Sequence, residues 1–156
     1  MTPLMFAAER GHLEVVTYLV THGRQLDATS TLNGMTPLML AAINGHLEVM
    51  TYLVTHGSQL DTTDKYGETA LHYAARNGWI DVTKWLIDQG CSPWVKSKQG
   101  KTPYDLAISG YGSEEKKKEV IDFLKYLDDY VKLFPPGIYN QPCELSSHQR
   151  RLSFDK

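Results

Sequence analysis

Short blocks of apolar residues with helical spacing recur along most of the chain. In each block the apolar side chains recur at helical spacing, which places most of them on one face of a helix. The blocks contain Leu13, Val16, Leu19 and Val20; Leu47, Met50, Leu53 and Val54; and Ile80, Trp85, Leu86 and Ile87. Gly23, Gly57 and Gly90 follow them, where a left-handed cap favours glycine. The pattern predicts three amphipathic helices that each end just before a glycine.

A shorter helix is predicted before each of these blocks. A threonine stands at the N-cap position, and in three cases a proline follows at the first helical position, where it is well tolerated. These residues are Thr2, Thr36, Thr69 and Thr102, with Pro3, Pro37 and Pro103. Three of the short helices contain an Ala-Ala pair (Ala7-Ala8, Ala41-Ala42 and Ala74-Ala75), which allows a neighbouring helix to approach closely.

The same segment therefore occurs several times at a fixed period. The four threonines that start the copies are 34, 33 and 33 residues apart. A period of this size indicates a repeat architecture, in which each helix pair buries its apolar face on the next pair. Gly34, Gly67 and Gly100 lie in the connections between copies and fit tight turns at their tips.

The copies resemble the ankyrin repeat family in their Thr-Pro-Leu starts, in His72 of TALHYAA, in the pairs Gly11-His12 and Gly45-His46, and in the helix-ending glycines. The resemblance covers about residues 1–134. It implies a mostly α ankyrin-repeat solenoid, built from helix-turn-helix pairs with β-hairpin fingers. The expected repeats span approximately residues 1–34, 35–67, 68–100 and 101–134. It also implies binding of another protein or peptide by the finger tips and by the first helix of each pair, on the concave side.

The fourth copy departs most from the pattern and predicts a long capping helix. Ser113 can cap a helix in which apolar residues recur at three-four spacing while the other face is charged. The apolar residues are Val120, Leu124, Leu127, Val131 and Phe134. Pro135, Pro136 and Gly137 then end the helix. We expect residues 135–156 to form an extended C-terminal tail.

The tail contains one candidate modification site. Arg150-Arg151-Leu152-Ser153 resembles the site preferred by basophilic protein kinases, so Ser153 is a candidate for phosphorylation. The alternative is that these residues are only an unstructured terminus.

The first copy starts at Thr2 without a preceding hairpin. Met5 and Phe6 are expected on the face that would meet a preceding unit. One interpretation is that the chain is part of a longer one, as a regulatory or targeting domain of a larger enzyme, channel or effector. The other is that it works by itself as a binding module or scaffold.

Composition excludes several classes of function. Sixteen Lys and Arg against eighteen Asp and Glu give a formal charge of −2, which argues against a nucleic-acid-binding surface. No apolar run reaches the ~20 residues needed to cross a bilayer, so we expect no membrane insertion. With two cysteines, Cys91 and Cys143, and no visible secretory signal, we expect a cytoplasmic location, with the nucleus not excluded.

The sequence contains no recognisable catalytic or metal-binding motif. His12 and His46 recur at one repeat position, and His22 and His56 at another, so each pair is expected to lie one repeat apart instead of converging on a metal ion. No nucleophile motif or phosphate-binding glycine loop is present. We therefore expect a protein that is not an enzyme and needs neither a cofactor nor a metal.

Candidate partner-binding residues lie at the finger tips and at the ends of the first helices, where packing leaves the residue type free. Tyr, Trp, Arg and Met are the types that carry binding energy at protein interfaces. The candidates are Leu32, Asn33, Met35, Ile43, Asn44, Lys65, Tyr66, Glu68, Arg76, Asn77, Trp79, Lys98 and Lys101. The alternative is scattered surface residues with no common role. The lysines, with Lys96, suggest either an acidic partner peptide or a solvated edge.

Overall fold

The computed structural model describes residues 1–23 and 26–133. These residues form eight helices, arranged as four successive pairs. The helices are α1 (Pro3–Arg10), α2 (Leu13–Thr21), α3 (Pro37–Ile43), α4 (Leu47–Thr55), α5 (Ala70–Arg76), α6 (Ile80–Asp88), α7 (Pro103–Ser109) and α8 (Glu114–Leu133). The predicted tail, 135–156, and its Ser153 lie outside the described residues.

The first helix of each pair begins at its predicted threonine cap. The hydroxyl oxygens of Thr2, Thr36 and Thr102 each accept a hydrogen bond, at 3.2 Å, from the backbone N–H three residues later. The side chain at that later position accepts in return from the threonine N–H, so each cap satisfies two backbone donors. The Met5 sulfur accepts from the Thr2 N–H, and the Asp105 carboxylate accepts from the Thr102 N–H. The helix starts are thus fixed locally by the sequence.

The first helices α1, α3, α5 and α7 pack side by side in one layer, and the second helices lie beside them. The alanine pairs lie at these contacts: Ala8, Ala42 and Ala75 are fully buried. Leu53 and Leu86 of the second helices are buried in the same core. α8 closes the stack, because Val120, Leu124 and Leu127 are buried while most of its other residues are exposed. The predicted repeat fold with its capping helix is confirmed.

Neighbouring repeats are joined by an aromatic ring that lies over a glycine of the preceding repeat. A Cβ at Gly45 would be only 2.6 Å from the Trp79 ring, and the indole N–H of Trp79 donates to the Ile43 carbonyl at 2.8 Å. The His46 ring lies against Gly11 in the same way. We call this contact the ring–glycine contact. It joins the second helix pair to the first and the third to the second, whereas at the last junction Gly78 faces Lys116 of α8 instead of a ring.

The connections between pairs are turns, and no β-strand occurs in the described residues. The β-hairpin detail of the fold prediction is therefore not confirmed. No described helix has the length and apolar character needed to cross a membrane.

The N-terminal end differs from the expectation. Met5 does not face outward: it is fully buried, and its sulfur lies 3.5 Å from the Thr2 nitrogen. Phe6 is 51% exposed, whereas Leu40, at the equivalent position of the next copy, is 7% exposed. Val15 is likewise exposed while its counterpart Val49 is buried. Phe6 and Val15, and not Met5, are thus apolar residues of the first copy that stay exposed where the next copy buries its equivalents.

Candidate functional site

The tips of the three connections, residues 31–34, 64–67 and 97–100, are joined into one row. The Lys65 N–H donates to the Asn33 carbonyl at 3.0 Å, and the Lys98 N–H donates to the Tyr66 carbonyl at 3.0 Å. Each connection is also closed on itself by a backbone hydrogen bond of 2.8–3.0 Å. We call this set of tips the finger-tip row. Its residues come from different repeats but form one continuous edge.

Large side chains are exposed along the finger-tip row. Leu32 of the first tip is 83% exposed and Tyr66 of the second is 45% exposed. Lys65 and Lys98 are exposed as well, and the Lys65 ammonium lies 4.9 Å from the centroid of the Tyr66 ring. Lys101 follows the third tip and is also exposed. The structure therefore brings most of the predicted tip residues together.

A small cavity of about 120 Å³ lies at the first tip. Met35 and Leu40 contribute apolar atoms to its wall. The lining residues are Met1, Ser30, Thr31, Leu32, Asn33, Met35 and Leu40. An aliphatic side chain of a bound partner could enter this space next to Leu32.

The second tip is held by a buried carboxylate. Asp64 accepts three hydrogen bonds: Oδ1 from the backbone N–H groups of Tyr66 and Glu68, both at 2.9 Å, and Oδ2 from the Tyr73 hydroxyl at 2.5 Å. Burial, followed by the hydrogen bond to Asp64 and its charge, raises the pKa of Tyr73. The Tyr73 hydroxyl thus holds the Asp64 carboxylate, and the two Oδ1 bonds of that carboxylate hold the backbone that presents Tyr66.

Two predicted binding residues satisfy each other instead of facing a partner. Glu68 forms an ion pair with Arg76, and it is only 6% exposed. The Arg76 guanidinium also lies 5.3 Å from the centroid of the Tyr73 ring. The expectation that Glu68 lies on the tip surface is wrong, because its carboxylate is directed inward to Arg76. Arg76 is half-buried by the same contacts.

The remaining candidates lie at the ends of α3 and α5 and are engaged locally. The side-chain amides of Asn44 and Asn77 donate to carbonyls one helical turn earlier, at 3.1 and 2.8 Å. Ile43 and Trp79 are half-buried and take part in the ring–glycine contact. The structure thus separates these residues from the finger-tip row and gives Trp79 a role in packing that the sequence interpretation did not include.

Two family models match the chain. One is described as ankyrin repeats (3 copies) and matches residues 1–64; the other is described as ankyrin repeats (many copies) and matches residues 53–107. The chain belongs to the ankyrin repeat family. Ankyrin repeats are generally protein–protein interaction modules and are typically not catalytic. No curated protein matches the chain significantly.

A second cavity of the ankyrin array, of about 310 Å³, was not anticipated from the sequence. It lies between the third connection and α8, away from the first two tips. The lining residues are Pro93, Trp94, Thr102, Tyr104, Leu124, Lys125, Asp128, Asp129 and Lys132. Tyr104 could have drawn attention to this region from the sequence, since it stands where the other ankyrin copies carry leucine.

His22 and His56 act as local structural groups at the ends of α2 and α4. The Nδ1 atoms of His22 and His56 lie 2.7 and 2.8 Å from carbonyl oxygens of the last turns of α2 and α4. Among the residues that the structure describes, no three or more His, Cys, Asp or Glu side chains are grouped so that they could hold a metal ion.

We expect His72 to make the stability of the ankyrin array depend on pH. Its Nδ1 accepts from the Thr69 N–H at 3.1 Å, and its Nε2 donates to the Lys101 carbonyl at 3.1 Å, so the neutral ring fits the site. Burial lowers the pKa of His72 in the folded state. Below about pH 6.5 the unfolded chain takes up a proton that the folded chain resists. We expect the free energy of unfolding, measured with urea, to fall as the pH drops below about 6.5.

The matched control is His72→Met, since methionine occupies the same position as Met5 and Met39 in the first two copies. This variant should lose less stability than the wild type between about pH 7.5 and pH 5.5. An equal loss in both proteins would show that another group causes the pH dependence.

Proposed function

We propose that this chain is a protein-interaction module, without catalytic activity of its own, that holds an extended segment of a partner along the finger-tip row. The observation that supports this most is the pair of backbone hydrogen bonds that join the three tips. They align Leu32, Tyr66 and Lys98 on one edge, although these residues belong to different connections.

Hydrogen bonds within the chain hold the tips in place without a partner, which favours this function. Asp64 fixes the second tip through three hydrogen bonds, and the neighbouring tips are tied to it. A surface that is already ordered loses less conformational entropy on binding, so more of the contact energy appears as affinity. The exposed leucine and tyrosine supply apolar contact area, and the cavity at the first tip supplies a place for an anchoring side chain.

The test is a comparative capture experiment with a double variant, Leu32→Ala with Tyr66→Ala. Both side chains are exposed, so we expect an unchanged melting temperature and a loss of about tenfold or more in at least one captured protein. Captured proteins are quantified by mass spectrometry against the wild-type chain.

The control is Tyr126→Ala, which removes a tyrosine of α8 that is 59% exposed. It should capture the same proteins as the wild type. Unchanged capture by the double variant, or equal losses in the double variant and the control, would contradict the proposal.

A further inference from the structure

We propose that the partner segment is acidic, with one apolar residue at the end that reaches the first tip. This inference rests on the proposed function and adds the chemical class of the partner. It follows from where the structure puts the charges of the second and third connections.

The bases of these connections face solvent. Lys65, Lys96, Lys98 and Lys101 are all exposed. The ion pairs between described residues use other bases, namely Arg76, Lys117 and Lys132. The four lysine charges are therefore open to a partner.

Most of the carboxylate side chains of the same connections are buried. Asp64 and Glu68 are buried, the first with three donors on its carboxylate and the second paired with Arg76. Asp61 is the exposed carboxylate of residues 57–68, and residues 90–101 contain no Asp or Glu. This edge is thus basic although the whole chain has a formal charge of −2. Such a local field attracts an acidic segment and orients it.

The character of the surface changes along the finger-tip row. The first tip offers exposed Leu32 and a cavity of about 120 Å³ walled in part by Met35, with no lysine among the lining residues. The second and third tips offer Tyr66 between Lys65 and Lys98, placed there by the Lys98–Tyr66 backbone hydrogen bond. A segment that matches this order has an apolar residue at one end and carboxylates at the other. A nucleic acid has no aliphatic side chain to place in the cavity at the first tip.

The probe is a fluorescein-labelled peptide of glutamate with a single leucine near one end. About ten residues are sufficient, because helix layers lie about 10 Å apart and ten extended residues span roughly 33 Å. Binding is measured by fluorescence anisotropy. We expect saturable binding that weakens with rising salt, and a loss of about tenfold or more in the double variant Lys65→Glu with Lys98→Glu.

The matched control is Lys118→Glu with Lys125→Glu, which changes the net charge equally on exposed positions of α8. It should bind the peptide nearly as well as the wild type. Equal losses in the two double variants, no loss in the tip variant, or tighter binding of a labelled single-stranded DNA would overturn the inference.

The capture experiment separates this inference from the proposed function. If Leu32→Ala with Tyr66→Ala loses a captured protein while Lys65→Glu with Lys98→Glu retains it, the chain binds a partner at the finger-tip row but the partner segment is not acidic.

Discussion

Replacing Asp64 by alanine is expected to lower the free energy of unfolding by about 4 kcal/mol. The buried carboxylate accepts hydrogen bonds from the backbone N–H groups of Tyr66 and Glu68 and from the Tyr73 hydroxyl. Alanine would leave these donors without their acceptor, and an unsatisfied buried donor costs about 1–3 kcal/mol. Urea unfolding followed by circular dichroism measures the loss.

Tyr73→Phe is the control for this prediction, since it removes one of the three donors and leaves the carboxylate in place. The equivalent positions hold Leu40 and Leu106, so an apolar ring is tolerated there. We expect a loss of about 1 kcal/mol. An Asp64→Ala variant no less stable than Tyr73→Phe would show that the two backbone bonds do not hold the second tip.

Replacing Gly45 by alanine is expected to cost about 3 kcal/mol. The residue has a φ of +73°, and a Cβ there would lie 2.6 Å from the Trp79 ring. The left-handed backbone accounts for about 1 kcal/mol, and the rest comes from displacing an indole whose N–H is bonded to Ile43. Thermal and urea unfolding both report this change.

Gly100→Ala separates the two contributions. Gly100 has nearly the same φ, +76°, but beyond its own chain neighbours no atom lies within 4 Å of the position that its Cβ would take. This variant should lose about 1 kcal/mol. Equal losses at Gly45 and Gly100 would mean that the ring–glycine contact adds nothing to the stability of the stack.

The helices and the core could be predicted from the sequence because their causes are local and periodic. The threonine caps fix where α1, α3 and α7 begin, and the three-four spacing of apolar residues identifies buried positions such as Leu53. The copies also support one another, because a position that is predicted to be buried in one copy is expected to be buried in the next. The error at Met5 has a simple cause. Consecutive helical residues are turned by about 100°, so Met5 and Phe6 cannot share one face.

The polar contacts of the site could not be predicted in the same way. Glu68 and Arg76 are eight residues apart with a helix start between them, and their pairing depends on how the second connection returns to α5. Nothing in a spacing rule distinguishes a lysine that stays exposed, such as Lys65, from a carboxylate that turns inward, such as Asp64. The rings of the ring–glycine contact could have been identified from the sequence, because an aromatic ring follows the glycine in Gly11-His12, Gly45-His46 and Gly78-Trp79.

We propose that a partner lies along the finger-tip row. Hydrogen–deuterium exchange of the wild-type chain, alone and with a captured partner, tests it most directly, because each tip is read separately. We predict slower exchange in residues 31–34, 64–67 and 97–100 when the partner is bound, with little change in α2, α4 and α6. Slower exchange confined to those second helices, with the tips unchanged, would show that the partner binds elsewhere.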